Sequence, residues 1–359
     1  MLDILQCRLD TVNRNKNIML DDLKLIHERD VQDALGIAEK QYAQLEIDYN
    51  LAKIEGNFKN VVVAGMGGSA LAAAFVGSWP SINLPFEICK NYDIPTYVNE
   101  DTLFIASSYS GNTEETIAAL SEAKEKGAKI AIITSGGSLK QIALDKGYPA
   151  TVLPSGFQPR MAVLANWAAL LQILDAASIT NNASLELRAK QQYMHEISKS
   201  WLPTVATKDN LAKQIAQDVA GKNIVIYSGP KLFPSAYKWK ISFNENAKNI
   251  AWCNQYPEFN HNEFLGWTSH PLEKLYAVID LRSNLENPRV QKRFAISERL
   301  LSGRRPSPIV VEVEGVDILE QLLWSVALGD FVSLYTAILN GLNPSPVELI
   351  EKLKIELAK

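Results

Sequence analysis

Two short strings in the first third of the chain combine glycine and hydroxyl side chains in a pattern suited to an anion. Gly65-Met66-Gly67-Gly68-Ser69-Ala70 follows a β-branched run at 61–64 and precedes a small-residue run at 71–76, so the order is strand, glycine turn, helix. As G-x-G-x-x-A it matches a dinucleotide fingerprint, with Glu87 standing about 20 residues on as the ribose-binding acid. As a monophosphate cradle, Gly67 and Gly68 let the backbone approach the anion while Ser69 and the helix N-terminus donate hydrogen bonds. A glycine turn made for tight strand-helix packing would read the same way. The second string places Ser108, Ser110 and Thr113 on a turn that enters a helix, with Gly111 among them. Three hydroxyls and free backbone N–H groups can surround a phosphate there without a metal or a lysine. Two strand ends then converge on one anion, which suits a sugar monophosphate better than a dinucleotide. Helix capping competes as an explanation, because Asn112 with Glu115 satisfies a capping box, but it accounts for one hydroxyl more readily than for three.

The elements that must carry these loops are legible as an alternation. Strands are expected at 61–64, 103–106, 129–133 and 151–153, with a further one ending near Glu87 and helical stretches at 114–126 and 161–177. Residues 19–55 carry apolar side chains at three- and four-residue spacing, the pattern of an amphipathic helix. The polar segment 178–184 is the best linker, after which the pattern restarts: strands at 223–227, 250–253, 275–280 and 309–313, helices at 286–302, 317–340 and 346–358. Two α/β halves with parallel, doubly wound sheets are expected, residues 1–180 and 181–359.

The string Ser108-Tyr109-Ser110-Gly111-Asn112-Thr113-Glu114-Glu115-Thr116 resembles the phosphate loop of the SIS (sugar isomerase) domain family. Gln158-Pro159-Arg160, Asn244-Glu245-Asn246-Ala247-Lys248 and the segment from Asn260 to Trp267 extend the likeness to the bifunctional phosphoglucose/phosphomannose isomerases of that group, over nearly the whole chain. Ala70 departs from the glycine often found after the serine, and being small it preserves the close approach. The resemblance implies two flavodoxin-like SIS domains with N- and C-terminal helices, and an aldose-ketose isomerase acting on glucose 6-phosphate, mannose 6-phosphate and fructose 6-phosphate without a cofactor or metal.

Such an isomerisation opens the sugar ring, moves one proton between C1 and C2 and stabilises an enediolate in between. Glu245, in the mainly uncharged stretch 241–245, is the candidate base, against the alternative of a surface acid paired with Lys248 or Lys240. Arg160 follows a proline that restrains its backbone and supplies a permanent cation for the enediolate oxygens, or else a helix-start salt bridge. His261, one of four histidines, takes the ring-opening role that the resemblance implies, while His27, His195 and His270 are read as structural. Lys354 matches the lysine the family places near the ring oxygen, although Lys352 is two residues away and the terminal K/E pattern also fits a solvated helix. The family resemblance further implies a homodimer in which His261 enters the neighbouring subunit's site. The segment 252–267, with Trp252, Tyr256, Phe259, Phe264 and Trp267, carries the aromatics of an interface or of a core corner.

Composition bounds the remaining possibilities. The 359 residues are 47% apolar and carry 36 Lys+Arg against 40 Asp+Glu, a net charge of -4, so the basic surface of a nucleic-acid binder is not expected. Asp3, Arg8 and Asp10 interrupt any secretory apolar region and the longest charge-free apolar stretch, 161–174, is short for a membrane span, which leads to the expectation of a cytoplasmic protein with no membrane partner. Cys7, Cys89 and Cys253 lie far apart and read as buried small hydrophobes. Open alternatives are another SIS sugar-phosphate isomerase, which would share the phosphate loop but change the base, and a non-catalytic sugar-phosphate sensor, which would lack Glu245, His261 and Arg160.

Overall fold

A computed structural model of the chain describes residues 19–269 and 275–357. Cys7, Asp3, Arg8, Asp10 and His270 lie outside the described residues. The contacts divide the chain into two compact units, each built on one parallel sheet.

The first sheet unit comprises Lys40–His195 with Asp317–Leu322. Its strands are β1 (Asn60–Ala64), β2 (Phe86–Cys89), β3 (Thr102–Ser108), β4 (Lys129–Thr134) and β5 (Ala150–Val152), in the order β2-β1-β3-β4-β5 with every pair parallel. β1 and β3 are central and covered on both faces, which is why Val61, Val62, Val63 and the whole of β3 are buried without alternation. Helices α1 (Gly67–Val76), α2 (Glu114–Glu125), α3 (Gly137–Lys146) and α4 (Val163–Ala176) supply the crossovers and cover. α1 packs on α4 through small residues: Ala70, Ala72 and Ala73 are fully buried and let the helices approach until Phe75 stacks on Trp167 at 4.9 Å. Because the strand order reverses beside β1, the loops after β1 and β3 open at the crevice where doubly wound sheets bind ligands.

The second sheet unit contains, of the described residues, those up to Glu39, those within Glu196–Val316 and those from Leu323 onward. Strands β6 (Asn223–Ser228), β7 (Ala251–Gln255), β8 (Tyr276–Arg282) and β9 (Ile309–Glu312) run in the order β7-β6-β8-β9, all parallel, repeating the order of the first four strands of the other unit. Helix α5 (Phe233–Glu245) follows β6, α6 (Ile318–Leu339) forms the core, and α7 (Glu348–Leu357) ends the described chain. α6 is long and apolar enough to cross a bilayer, yet 94% of its most apolar 18-residue window is buried inside the protein. Gly329 has no side chain because one would meet the Trp239 indole at 2.3 Å, and that indole donates to the Ser325 carbonyl at 2.7 Å. The result is a tight α5-α6 contact in which Lys238 is buried against Asp330 and donates to Ser242 at 2.7 Å.

Four expectations differ from what is observed. The helical pattern at 19–55 is broken into Leu23–Arg29, Ala34–Glu39 and a 3-10 turn, Lys40–Glu46, with Asp33 left-handed at φ 55°. The segment 178–184 is not where the units part. Asp175 accepts from the Thr180 hydroxyl at 2.7 Å and from the Ala183 and Ser184 amides at 3.1 and 2.9 Å, tying the turn to the helices on either side, and the first unit continues to His195. The N-terminal helix belongs with the second half, where Asp21 accepts from the Thr207 hydroxyl at 2.8 Å and the Lys213 ammonium at 3.2 Å. Cys89 is buried, but Cys253 is only half-buried.

Candidate active site

The first two loops meet as a cup in the first sheet unit. At the end of β1 the chain turns through Gly67, whose φ of 51° is left-handed, into α1. Gly68 lies against the turn that bears Arg160: a Cβ there would stand 2.8 Å from the Pro159 carbonyl and 3.3 Å from the Arg160 nitrogen. Gly68 is thus the residue that lets the Gln158-Pro159-Arg160 turn close onto the first loop. Arg160 sits in the 3-10 turn Pro159–Met161, 2% exposed, with one guanidinium nitrogen 3.4 Å from the Gln158 side-chain oxygen.

At the end of β3 the Ser108 hydroxyl lies 2.7 Å from that of Thr113 and 3.5 Å from that of Ser110, and accepts the Gly111 amide at 3.1 Å. Three hydroxyls therefore share one small space at the N-terminus of the twelve-residue α2, where the helix dipole favours a negative charge. The capping alternative is not realised. Thr113 is the N-cap residue and makes no side-chain cap bond, while the Asn112 carboxamide oxygen accepts the Ser138 amide at 2.9 Å and the Ser138 hydroxyl at 3.0 Å. The two loops are joined by Ser69, whose hydroxyl oxygen accepts the Tyr109 amide at 3.1 Å.

A third loop, after β4, holds the second in place, and sequence reasoning assigned it no role. Gly111, left-handed at φ 72°, packs so closely on it that a Cβ would stand 1.8 Å from the Gly136 carbonyl. The Ser135 hydroxyl donates to the Tyr109 carbonyl at 2.6 Å, and Thr134 caps the turn through Gly136. Tyr109 is also a strut: its phenol donates to the Pro154 carbonyl at 2.7 Å and accepts the Phe157 amide at 3.0 Å, fixing the segment that leads to Arg160. Burial raises the Tyr109 phenol above its ordinary value, so it stays a neutral strut. Glu87, the acid required by the dinucleotide reading, accepts the Tyr97 hydroxyl at 2.7 Å.

Gly67, Gly68, Ser69, Ser108, Ser110, Thr113 and the backbone of Arg160 are thus gathered in one unit. Glu245, His261 and Lys354 are in the other. Glu245 is the last residue of α5, half-buried, and lines a cavity of about 800 Å³ together with Lys240, Asn244, Lys248, Trp252 and residues of the 343–350 segment. The lining of that cavity includes neither His261 nor Lys354. His261 closes the 3-10 turn Glu258–His261 and is exposed. Its loop is anchored from both sides: the Asn260 amide donates to Ser297 at 2.9 Å, and Glu263 accepts the Tyr227 hydroxyl at 2.5 Å and the Asn254 amide at 2.7 Å. Burial, then the Glu263 charge, pushes the Tyr227 phenol far above its usual range and keeps it a donor. Lys354 lies on a fully exposed helix and pairs with Glu351 at 2.8 Å, one turn away, as on any solvated helix. Of the aromatic segment, Tyr256, Phe259 and Trp267 are buried within the second unit, and Trp252 is half-exposed. Among the described residues no cluster of three or more His, Cys, Asp or Glu side chains could hold a metal ion.

Two parallel sheets of the same strand order, one carrying a hydroxyl-lined cup at its switch point, define a protein of two SIS domains. The SIS domain family matches residues 57–143, and the family described as the bacterial phospho-glucose isomerase C-terminal SIS domain matches residues 208–357. The chain is 32% identical to the bifunctional phosphoglucose/phosphomannose isomerase of Aquifex aeolicus, covering 92% of this chain and 99% of that one, and 34% identical to that of Caldicellulosiruptor bescii, covering 88% and 96%. Among solved structures, a glucose-6-phosphate isomerase-like protein from Thermus thermophilus aligns with a TM-score of 0.63 at 18% identity, over 92% of this chain and 99% of that one. The chain belongs to the bifunctional phosphoglucose/phosphomannose isomerase family.

Proposed function

We propose that this protein interconverts fructose 6-phosphate with glucose 6-phosphate and with mannose 6-phosphate by proton transfer through a cis-enediolate. The observation that carries the reading is the cup: Ser108, Ser110 and Thr113 at a helix N-terminus, joined through Ser69 to the first glycine loop, on a chain whose curated relatives bear that activity in their names. The cup takes the phosphate, with neutral donors that bind it alike in ground and transition states, so it provides affinity and orientation rather than rate. Glu245 moves the proton between C1 and C2, and Arg160 stabilises charge on the enediolate oxygens. His261 opens the ring, and Lys354 assists at the ring oxygen. Reprotonation of either face of C2 after rotation about C2–C3 accounts for two aldose products from one base.

The chain works as a homodimer in which His261 serves the partner's site. Support comes from the exposure of His261 and from apolar side chains left open to solvent, Ile250, Trp252, Leu349 and Leu353, each at least half exposed. The substrate class and a cytoplasmic location follow from the same reading, with neither nucleic acid nor membrane as a partner. The test is purified protein with fructose 6-phosphate and a chelator, glucose 6-phosphate and mannose 6-phosphate being detected separately. Both products are expected. An absolute requirement for Zn²⁺ or Mg²⁺ would refute the mechanism.

A further inference from the structure

The end of α5 carries a lysine in an unusual position. Lys248, three residues beyond Glu245, has a left-handed backbone, φ 51°, which a side chain other than glycine or asparagine adopts only when its surroundings hold it there. Its ammonium, with three N–H donors, lies within hydrogen-bond distance of four main-chain carbonyls: Glu245 at 2.9 Å, Asn246 at 3.3 Å, Asn343 at 3.1 Å and Pro344 at 2.9 Å. Two of these oxygens belong to the last turn of α5, where carbonyls lack helical partners and the dipole is negative. The other two belong to the turn that precedes α7. One cation therefore ties the backbone of Glu245 to the start of the C-terminal segment, and both Lys248 and Glu245 line the same cavity.

Other contacts hold this helix on the side of α6. The Lys238–Asp330 pair and the Asn246 amide, donating to Ser333 at 2.9 Å, anchor the helix against α6. Neither closes the open end on the side of the 343–344 turn. Lys248 does, and a base that must meet a carbon-bound proton tolerates little misplacement.

We infer that Lys248 is a positioning residue, which sets the Glu245 carboxylate by clamping the carbonyls of its helix end to the turn at 343–344. The inference rests on Glu245 being the base. Lys248→Met removes the donors and keeps the stem, and kcat should fall about tenfold with KM for fructose 6-phosphate within about twofold. Lys248→Arg, which restores a cation with several donors, should recover most of the loss, and circular dichroism with a melting curve checks the fold of each variant. The discriminating comparison repeats Lys248→Met in a Glu245→Gln background, where it should change the residual rate by less than about twofold. Should Lys248→Met not fold, Lys248→Gln takes its place in both backgrounds. A folded variant with wild-type kcat, a change confined to KM, or an equal loss in both backgrounds would overturn the inference and leave the base assignment intact. Wild-type kcat in Glu245→Gln alone would instead remove the base assignment.

Discussion

The Ser69 hydroxyl oxygen accepts the main-chain N–H of Tyr109 at 3.1 Å, so the two loops of the cup are one hydrogen-bonded object rather than two neighbours. Removing that oxygen leaves a buried amide without its acceptor, at a cost of about 1–3 kcal/mol. Ser69→Ala should therefore raise KM for fructose 6-phosphate by roughly tenfold through lost loop register as well as any lost phosphate contact. Steady-state kinetics read this, and an unchanged KM would show that the loops keep their register without the bond.

Binding and chemistry should separate by residue. Ser110→Ala combined with Thr113→Ala should raise KM with kcat nearly retained if, as proposed, the cup holds phosphate equally throughout the reaction. Glu245→Gln should lower kcat by about 10²- to 10⁴-fold with little change in KM. The reverse pattern in the two variants would reassign the loops.

Gly111 answers to backbone geometry alone. At φ 72° and with the Gly136 carbonyl 1.8 Å from where a Cβ would stand, Gly111→Ala must displace the third loop. A loss of at least about 1 kcal/mol is expected from the left-handed backbone itself, with more from the clash, read as a lower denaturation midpoint.

The proposed sharing of the site between subunits has its own test. Glu245→Gln and His261→Ala chains, refolded together in equal amounts, should recover about a quarter of wild-type activity, since half the dimers are mixed and each mixed dimer has one intact site of two. No recovery after verified exchange would mean that both residues serve one chain's site.

Lys190 gives a pH-dependent prediction in the first sheet unit. Its ammonium donates to Glu320 at 2.8 Å and Asp317 at 2.9 Å. The Glu320 bond, against the opposing effect of burial, raises the lysine above its ordinary 10.5. For Asp317 burial alone would act upward, but the Glu320 amide and the Lys190 ammonium outweigh it and bring the carboxyl below 3.8. A lowered carboxyl stabilises the fold above its unfolded value and loses that contribution as pH falls through the folded one, whereas the raised lysine loses its contribution only in strong alkali. The urea midpoint difference between wild type and Lys190→Met should be constant from about pH 5 to 9 and shrink toward pH 3. A difference unchanged in acid would discount the pair.

The strands were legible in the sequence because buried parallel strands are short β-branched runs, as at 61–64 and 223–227, and the cup was legible because its hydroxyls are side chains. What holds the cup was not, since Ser135 and Gly136 act on the Tyr109 and Gly111 backbones, and such bonds leave no compositional trace. Glu263 carries no role in the sequence, because its partners are a tyrosine 36 residues away, Tyr227, and Asn254, a strand residue whose side chain no spacing rule pairs with it. The division at 180 misled because Asp175 turns a polar, linker-like segment into a capped corner.

The most direct measurement follows fructose 6-phosphate with the unmodified protein in D₂O to equilibrium, by NMR. Proton transfer through an enediolate, with either face of C2 reprotonated, predicts glucose 6-phosphate and mannose 6-phosphate that both gain solvent deuterium at C2 as turnovers accumulate. Because C2 of fructose 6-phosphate bears no hydrogen, protium there must come from C1; its complete retention after many turnovers would point to a hydride shift, and absence of both aldoses would contradict the isomerase assignment itself.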